Sequence, residues 1–152
     1  MIVRLTAEQA PKALLLLADP DWTRAQQALV HATIYGYQLA NQIVGVLVLK
    51  TTKPKTKEIM NVAVDPSYQH RGIAKALLAA TIKSCQQDAN CDQLEIGTGN
   101  SSLRQLGLYQ RAGFEMTTIW ANYFVDNYSE PIYEDGIQCK SMVRLAQNVK
   151  GG

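Results

Sequence analysis

The segment Val62-Ala63-Val64-Asp65-Pro66-Ser67-Tyr68-Gln69-His70-Arg71-Gly72-Ile73-Ala74 constrains the fold more than any other part of the chain. An apolar run stops at Asp65-Pro66, a short polar loop follows, and a helix opens on Gln-x-x-Gly-x-Ala. Backbone N–H groups at a helix start point outward and carry partial positive charge, so such a turn suits an anion. Gly72 has no side chain, which lets a phosphate approach the backbone. Ala74 keeps that approach open, and Arg71 and Lys75 add positive charge. A plain strand–helix connection that needs a glycine has the same pattern. No Gly-Lys-Ser/Thr is present, which excludes a Walker A loop. No Gly-x-Gly-x-x-Gly with a following acidic strand end supports a dinucleotide fold.

The rest of the chain reads as strands and helices around this turn. Met1–Leu5 is a short strand, and Thr6-Ala7-Glu8-Gln9 has the form of a capping box opening a helix that runs to about Ala18. Pro20 interrupts, and Asp21 can cap a second helix ending near His31. Thr33–Leu39 and Ile43–Thr52 form a hairpin across Ala40-Asn41-Gln42. Thr51–Lys57 reads as a basic solvated loop, and Glu58–Val64 as the next strand. Gly72–Asp88 is a helix with Ile73, Ala76, Leu77, Ala80 and Ile82 on its buried side. Gln93–Thr98 is a buried strand, Ser101–Ala112 a helix with Gly113 as its C-cap, and Phe114–Val125 and Gln138–Leu145 are the last strands. An acidic loop, Asp126–Gly136, lies between those two, and the end at Lys150-Gly151-Gly152 is expected to fray. Glu58–Thr98 is a strand–helix–strand unit, which should be parallel with a right-handed crossover. Hairpins on either side make the remainder antiparallel. The expected class is α/β (α+β), a mixed sheet with helices on both faces.

Composition narrows the function. A chain of 152 residues with 47% hydrophobic and 18% charged residues can bury a core without disulfides. A net charge of +2 gives no case for a nucleic-acid partner. The apolar stretch Ile43–Leu49 is too short to span a membrane, and no signal-peptide pattern opens the chain, so a cytoplasmic location is expected. The three cysteines, Cys85, Cys91 and Cys139, form no CxxC and read as reduced thiols. With only His31 and His70 present, no metal centre is expected.

Two motifs resemble the GCN5-related N-acetyltransferase (GNAT) superfamily. Gln69-x-x-Gly72-x-Ala74 is similar to its motif A, with Glu58–Val64 as the preceding central strand. Leu108-Tyr109-Gln110-Arg111-Ala112-Gly113-Phe114 is similar to the end of its motif B. The run Gly97-Thr98-Gly99-Asn100-Ser101-Ser102 resembles a narrower bacterial branch. The resemblance implies one N-acetyltransferase domain over residues 1–152, with a sheet of about seven strands, mostly antiparallel with a central parallel pair. It implies acetyl-CoA as cosubstrate and no metal. The pyrophosphate would rest on Gln69, His70, Arg71, Gly72, Ile73 and Ala74, with Lys75 nearby. Val62, Ala63 and Val64 would hydrogen-bond the pantetheine arm at a strand bulge where the sheet splays. Tyr109 would protonate the leaving thiolate, and Glu58 would accept the amine proton. Asn100 or Ser102 would touch the cofactor from the loop before the motif B helix, or Ser101 or Ser102 would merely cap that helix.

The acceptor is read only as a small-molecule or peptide amine. The acidic loop, with two tyrosines, favours a cationic amine if it borders the site, and is a solvated hairpin loop if it does not. Tyr35, Tyr37, Trp22 and Trp120 are either pocket or core. A homodimer stays open. A non-catalytic acetyl-CoA sensor or interaction module of the same fold is the alternative.

Overall fold

In the computed structural model, residues 1–150 are described. In chain order the elements are β1 (Ile2–Leu5), α1 (Lys12–Ala18), α2 (Trp22–Leu29), β2 (Thr33–Leu39), β3 (Gln42–Lys53), β4 (Thr56–Val64), α3 (Ile73–Gln87), β5 (Gln93–Gly99), α4 (Leu103–Arg111), β6 (Glu115–Trp120), α5 (Tyr123–Asn127), β7 (Ile132–Glu134), β8 (Ile137–Cys139) and β9 (Met142–Asn148). One seven-stranded sheet has the order β1-β2-β3-β4-β5-β9-β6, and β7 and β8 form a separate hairpin. Among the described residues only β4 and β5 pair in parallel; the other pairs are antiparallel. This is the mixed sheet expected from the strand–helix–strand unit.

Val44–Leu49 of β3 is buried throughout because helices cover both faces of the sheet. Alternate side chains serve opposite layers. Leu47 and Leu49 join Ile73, Leu77 and Leu78 of α3 and Tyr109 of α4. Val46 and Val48 join Leu14 and Leu15 of α1 and Ala25 of α2. On α3 the buried stripe is Ile73, Leu77, Leu78, Thr81 and Cys85. Ala76, Ala80 and Ile82 are only half-buried, so the inward stripe lies to one side of the expected one.

Several boundaries differ from the sequence reading for local reasons. Thr6 and Gln9 do exchange reciprocal hydrogen bonds, at 2.8 and 3.3 Å. They close a turn and not a helix, because the residue before Pro11 is disfavoured in helical geometry, and α1 starts at Lys12. The basic stretch Thr51–Lys57 is a tight hairpin, with both strands continuing through it and Lys55 turning at φ 63°. The strand expected over Phe114–Val125 stops at Trp120. Asn122 adopts left-handed geometry, φ 57°, and Val125 lies in α5. The strand expected over Gln138–Leu145 breaks at Lys140-Ser141 into β8 and β9. The acidic loop holds the end of α5 and all of β7. Lys150 is tied down, its ammonium donating to the Cys85 and Gln86 carbonyls. Gly151 and Gly152 lie outside the described residues.

Candidate active site

The sheet opens at its centre. Pairing between β4 and β5 runs from Thr56↔Gln93 to Ile59↔Ile96 and then ends. On its other side β4 stays paired with β3 as far as Val64↔Gly45. There the register steps from Leu49↔Ile59 to Val48↔Asn61, so Met60 is an extra residue, a β-bulge that bends β4 away from β5. The backbone of Met60–Val64 therefore presents an unpaired edge toward β5. A cavity of about 740 Å³ occupies the gap, and Val62, Gly97, Thr98 and Tyr109 line it. The Ala63 and Val64 side chains pack into the two cores and leave only their backbone for a ligand.

Beyond β4, Asp65 accepts from the Ser67 N–H at 2.8 Å and starts a short 3-10 turn over Pro66–Tyr68. The Gln69 amide donates to the Val64 carbonyl at 3.1 Å. His70 and Gly72 then adopt positive φ, 65° and 80°. A side chain at Gly72 would meet nothing within 4 Å, so the concavity is open. Ala76 donates to the Gly72 carbonyl, which leaves the N–H groups of Ile73, Ala74 and Lys75 as the outward-facing start of α3. Gly45 lets α3 sit close: a Cβ there would fall 2.9 Å from Ile73 Cγ2 and 3.2 Å from Leu77 Cδ1. Arg71 stacks over Tyr68 at 5.1 Å, and an Arg104 nitrogen lies 2.8 Å from His70 Nε2. The turn fits a phosphate group: open backbone donors, a positive helix end and flanking cations.

Tyr109 lies in the second turn of α4, 4% exposed, its ring edge-on to Phe114. Burial raises its phenol well above the ordinary tyrosine range, so it stays a proton donor at every ordinary pH. Glu58 lines the cavity, held by Arg144 from β9 with two nitrogens on its two oxygens, each at 3.0 Å. Arg144 is 6% exposed, stacks on Trp120 at 4.3 Å and reaches Glu95 at 3.6 Å. That arginine was not among the residues singled out in the sequence. Its position on a late strand, 86 residues from Glu58, carries no local signal.

The Asn100 side chain is used within the fold. Its oxygen accepts from the Lys140 and Ser141 N–H groups at 2.8 and 2.9 Å, and its amide donates to the Gln138 carbonyl. It pins the end of β5 to the β8–β9 corner and does not line the cavity. Ser102 does line it and stands at the N-cap of α4, but its hydroxyl makes no capping bond and donates instead to Glu134 at 2.8 Å. Ser101 donates to the same carboxylate oxygen at 3.2 Å.

The acidic loop does border the cavity, through Tyr128, Ile132 and Glu134. With Trp120, Tyr123 and Phe124, Tyr128 makes a wall of successive rings 5.2–5.7 Å apart. Arg24 of α2 ties this wall down, donating to Asn127 at 2.9 Å and stacking on Tyr128 at 5.1 Å. Tyr35, Tyr37 and Trp22 are not in the wall; they pack against the two cores. Among the described residues no group of His, Cys, Asp and Glu could hold a metal ion, and no helix is long and apolar enough to cross a membrane.

The splayed strands and the open turn are accompanied by close likeness to known proteins. YvbK, an uncharacterised N-acetyltransferase of Bacillus subtilis (strain 168), is 43% identical over 132 residues, covering 87% of this chain and 84% of that protein. The IAA acetyltransferase of Bacillus cereus ATCC 14579 superposes with a TM-score of 0.93 at 42% identity, covering 97% of this chain and 98% of the other. A GNAT family acetyltransferase of Elizabethkingia anophelis, solved with acetyl-CoA bound, superposes at 0.92 with 42% identity and 97% of each chain covered. The family model for acetyltransferases of the GNAT family matches residues 3–114, which include the splayed strands, the open turn and Tyr109, and the chain belongs to that family.

Proposed function

We propose that the chain, as one domain, transfers an acetyl group from acetyl-CoA to a primary amine by direct attack in a ternary complex. The observation that carries this reading is the gap between β4 and β5 with Tyr109 in its wall, together with the open turn that follows the end of β4. The relative solved with acetyl-CoA bound, which superposes over 97% of each chain, supports the same cosubstrate here. Acetyl-CoA supplies the activated acetyl group. The backbone of Val62–Val64 would take its pantetheine arm as an added strand. The turn from Gln69 to Ala74 would hold its pyrophosphate, with Lys75 and Arg71 as flanking charges and Ser102 lining the gap. The Gln69 side chain, already bonded to Val64, would act by shaping the loop. Asn100 would act by fixing the β8–β9 corner.

Tyr109 is assigned the acid. Its raised proton affinity keeps the phenol neutral until a thiolate needs the proton. Glu58 is assigned the base, oriented by Arg144. Tyr109→Phe should lower turnover about a hundredfold while acetyl-CoA affinity stays near wild type. An unchanged rate removes Tyr109 from the role. Thiol release with any amine disposes of the sensor alternative. We further assign the protein to the cytoplasm. We also assign a homodimer to the edge strand β6, all six residues of which are exposed, Met116 and Ile119 among them. Sedimentation of the full chain tests the dimer.

A further inference from the structure

Three carboxylates line the cavity, those of Asp19, Glu58 and Glu134. Among the described residues only Glu58 is paired with a cation, while Asp19 and Glu134 accept from neutral donors. Arg144 pairs Glu58 through both oxygens. Asp19 accepts the Tyr128 hydroxyl at 2.9 Å and the Asp21 N–H at 3.0 Å, at the α1–α2 wall. Glu134 accepts only neutral donors, the hydroxyls of Ser101 and Ser102, both on Oε1. Hydroxyl donors fix a carboxylate in place and leave its charge in full. Among the described residues no cation pairs with Glu134.

The cavity's own cations are already engaged. Arg144 is shared by Glu58, Glu95 and the Trp120 ring. Arg24 is held by Asp21, Asn127 and the Tyr128 ring. The Lys50 ammonium donates to the Gln27 carbonyl. The ring of Phe124, by contrast, carries no cation among the described residues. Gly99 places that ring beside Glu134's support: its Cβ direction points 3.4 Å from Ser102 Oγ and 3.7 Å from Phe124 Cε2. A fixed carboxylate with no cation on it thus lines a cavity walled by aromatic rings, which suits an organic cation.

That carboxylate is separate from Tyr109. Ser102 precedes Tyr109 by two helical turns, and the tyrosine side chain leans back toward the helix start, which leaves about 5–10 Å between the two functional ends. We propose that Glu134 binds a second, non-reacting cationic group of the acceptor, so that preferred acceptors are diamines or amines with a basic group several bonds away. This inference rests on the transferase reading above.

The test compares pentane-1,5-diamine with 5-aminopentan-1-ol, which has the same length and a hydroxyl in place of the second ammonium. Thiol release from acetyl-CoA by the full chain should show kcat/KM about tenfold higher for the diamine, carried mainly by KM. Glu134→Gln keeps acceptor lone pairs for both serines, and it should bring the ratio of the two acceptors close to one. Equal kcat/KM for both acceptors in the wild type would overturn the proposal, as would a ratio that survives Glu134→Gln. Turnover without diamine preference refutes the Glu134 role and leaves the transferase intact. If neither amine releases thiol, the transferase reading fails for these acceptors. The Glu134 role is then decided by calorimetric diamine binding to CoA-loaded protein. Diamine binding that weakens about tenfold in Glu134→Gln supports the proposal, and equal binding overturns it.

Discussion

Replacing Arg144 by Met tests whether the cavity wall is held by charge or by packing. Arg144 is 6% exposed and is the sole cation on Glu58 among the described residues, bonded to both its oxygens at 3.0 Å. Glu95 would keep Lys53 at 3.3 Å, so the loss falls mainly on Glu58. Removing one partner of a buried ion pair costs about 3–5 kcal/mol, and the carboxylates here are 16% and 14% exposed, which places this case near the lower end, at about 3 kcal/mol. Methionine replaces much of the arginine's apolar stem on Trp120, so the packing loss is smaller than the charge loss. For a chain of this size about 3 kcal/mol corresponds to a drop of roughly 6–12 °C in melting temperature. The cycle with Glu58→Gln isolates the pair. Once Glu58 is neutral, losing Arg144 no longer strands its charge, so the double variant should be about 1–2 kcal/mol more stable than the two single losses predict. Urea denaturation of the four proteins measures this. Additivity within about 0.5 kcal/mol would refute the reasoning and reduce Arg144 to a packed side chain.

Other perturbations probe the parts around it. Gly45→Ala should cost about 1–3 kcal/mol, because its Cβ would fall 2.9 Å from Ile73, and it should weaken acetyl-CoA binding by shifting the start of α3; wild-type values for both would refute that coupling. The three thiols should react slowly with a thiol reagent at neutral pH and quickly after unfolding. Cys85, Cys91 and Cys139 are all buried, and burial, helped by Cys91, pushes the Cys85 thiol up to about 12. The Lys57–Asp88 pair, 2.7 Å apart, should make stability depend on pH at both ends. The bond to Lys57, then the Asn90 N–H, holds the Asp88 carboxyl below its ordinary range; this stabilises the fold above the unfolded value and is lost as pH falls through the folded one. Burial opposes the Lys57 charge, but Asp88 outweighs it and raises the ammonium, so that share is lost at high pH. Asp88→Asn should therefore lower the melting temperature between about pH 4 and pH 10 and leave it closer to wild type outside that window. A uniform shift across pH would refute this.

Local chemistry was legible before any tertiary structure. The hairpin expected across Ala40-Asn41-Gln42 forms, tightened to a turn of Ala40 and Asn41 with φ of 49° and 65°, and Gln42 already belongs to β3. Asp21 caps α2 by accepting from the Arg24 N–H, and Gly113 leaves α4 at φ 103°. The opening of α3 on Gly72 and the place of Tyr109 on α4 also follow from sequence, because both motifs are short and contiguous. The misread segments are those where neighbours outvote the pattern. Glu115–Trp120 is rich in strand formers, and nothing in the run announces that Asn122 will turn left-handed and start a helix.

The sequence alone determined the order of elements from β1 to β6, the phosphate-type turn and the family pattern, since each depends on residues within one or two turns of each other. Tertiary structure alone decided what surrounds the reacting centre. β9 inserts between β5 and β6, and that insertion is what carries Arg144 to Glu58 across 86 residues. The separate β7–β8 hairpin likewise carries Glu134 to Ser101 and Ser102. Such pairings depend on strand order and register, which are set by how the whole sheet buries its two faces, and no local run of residues encodes them.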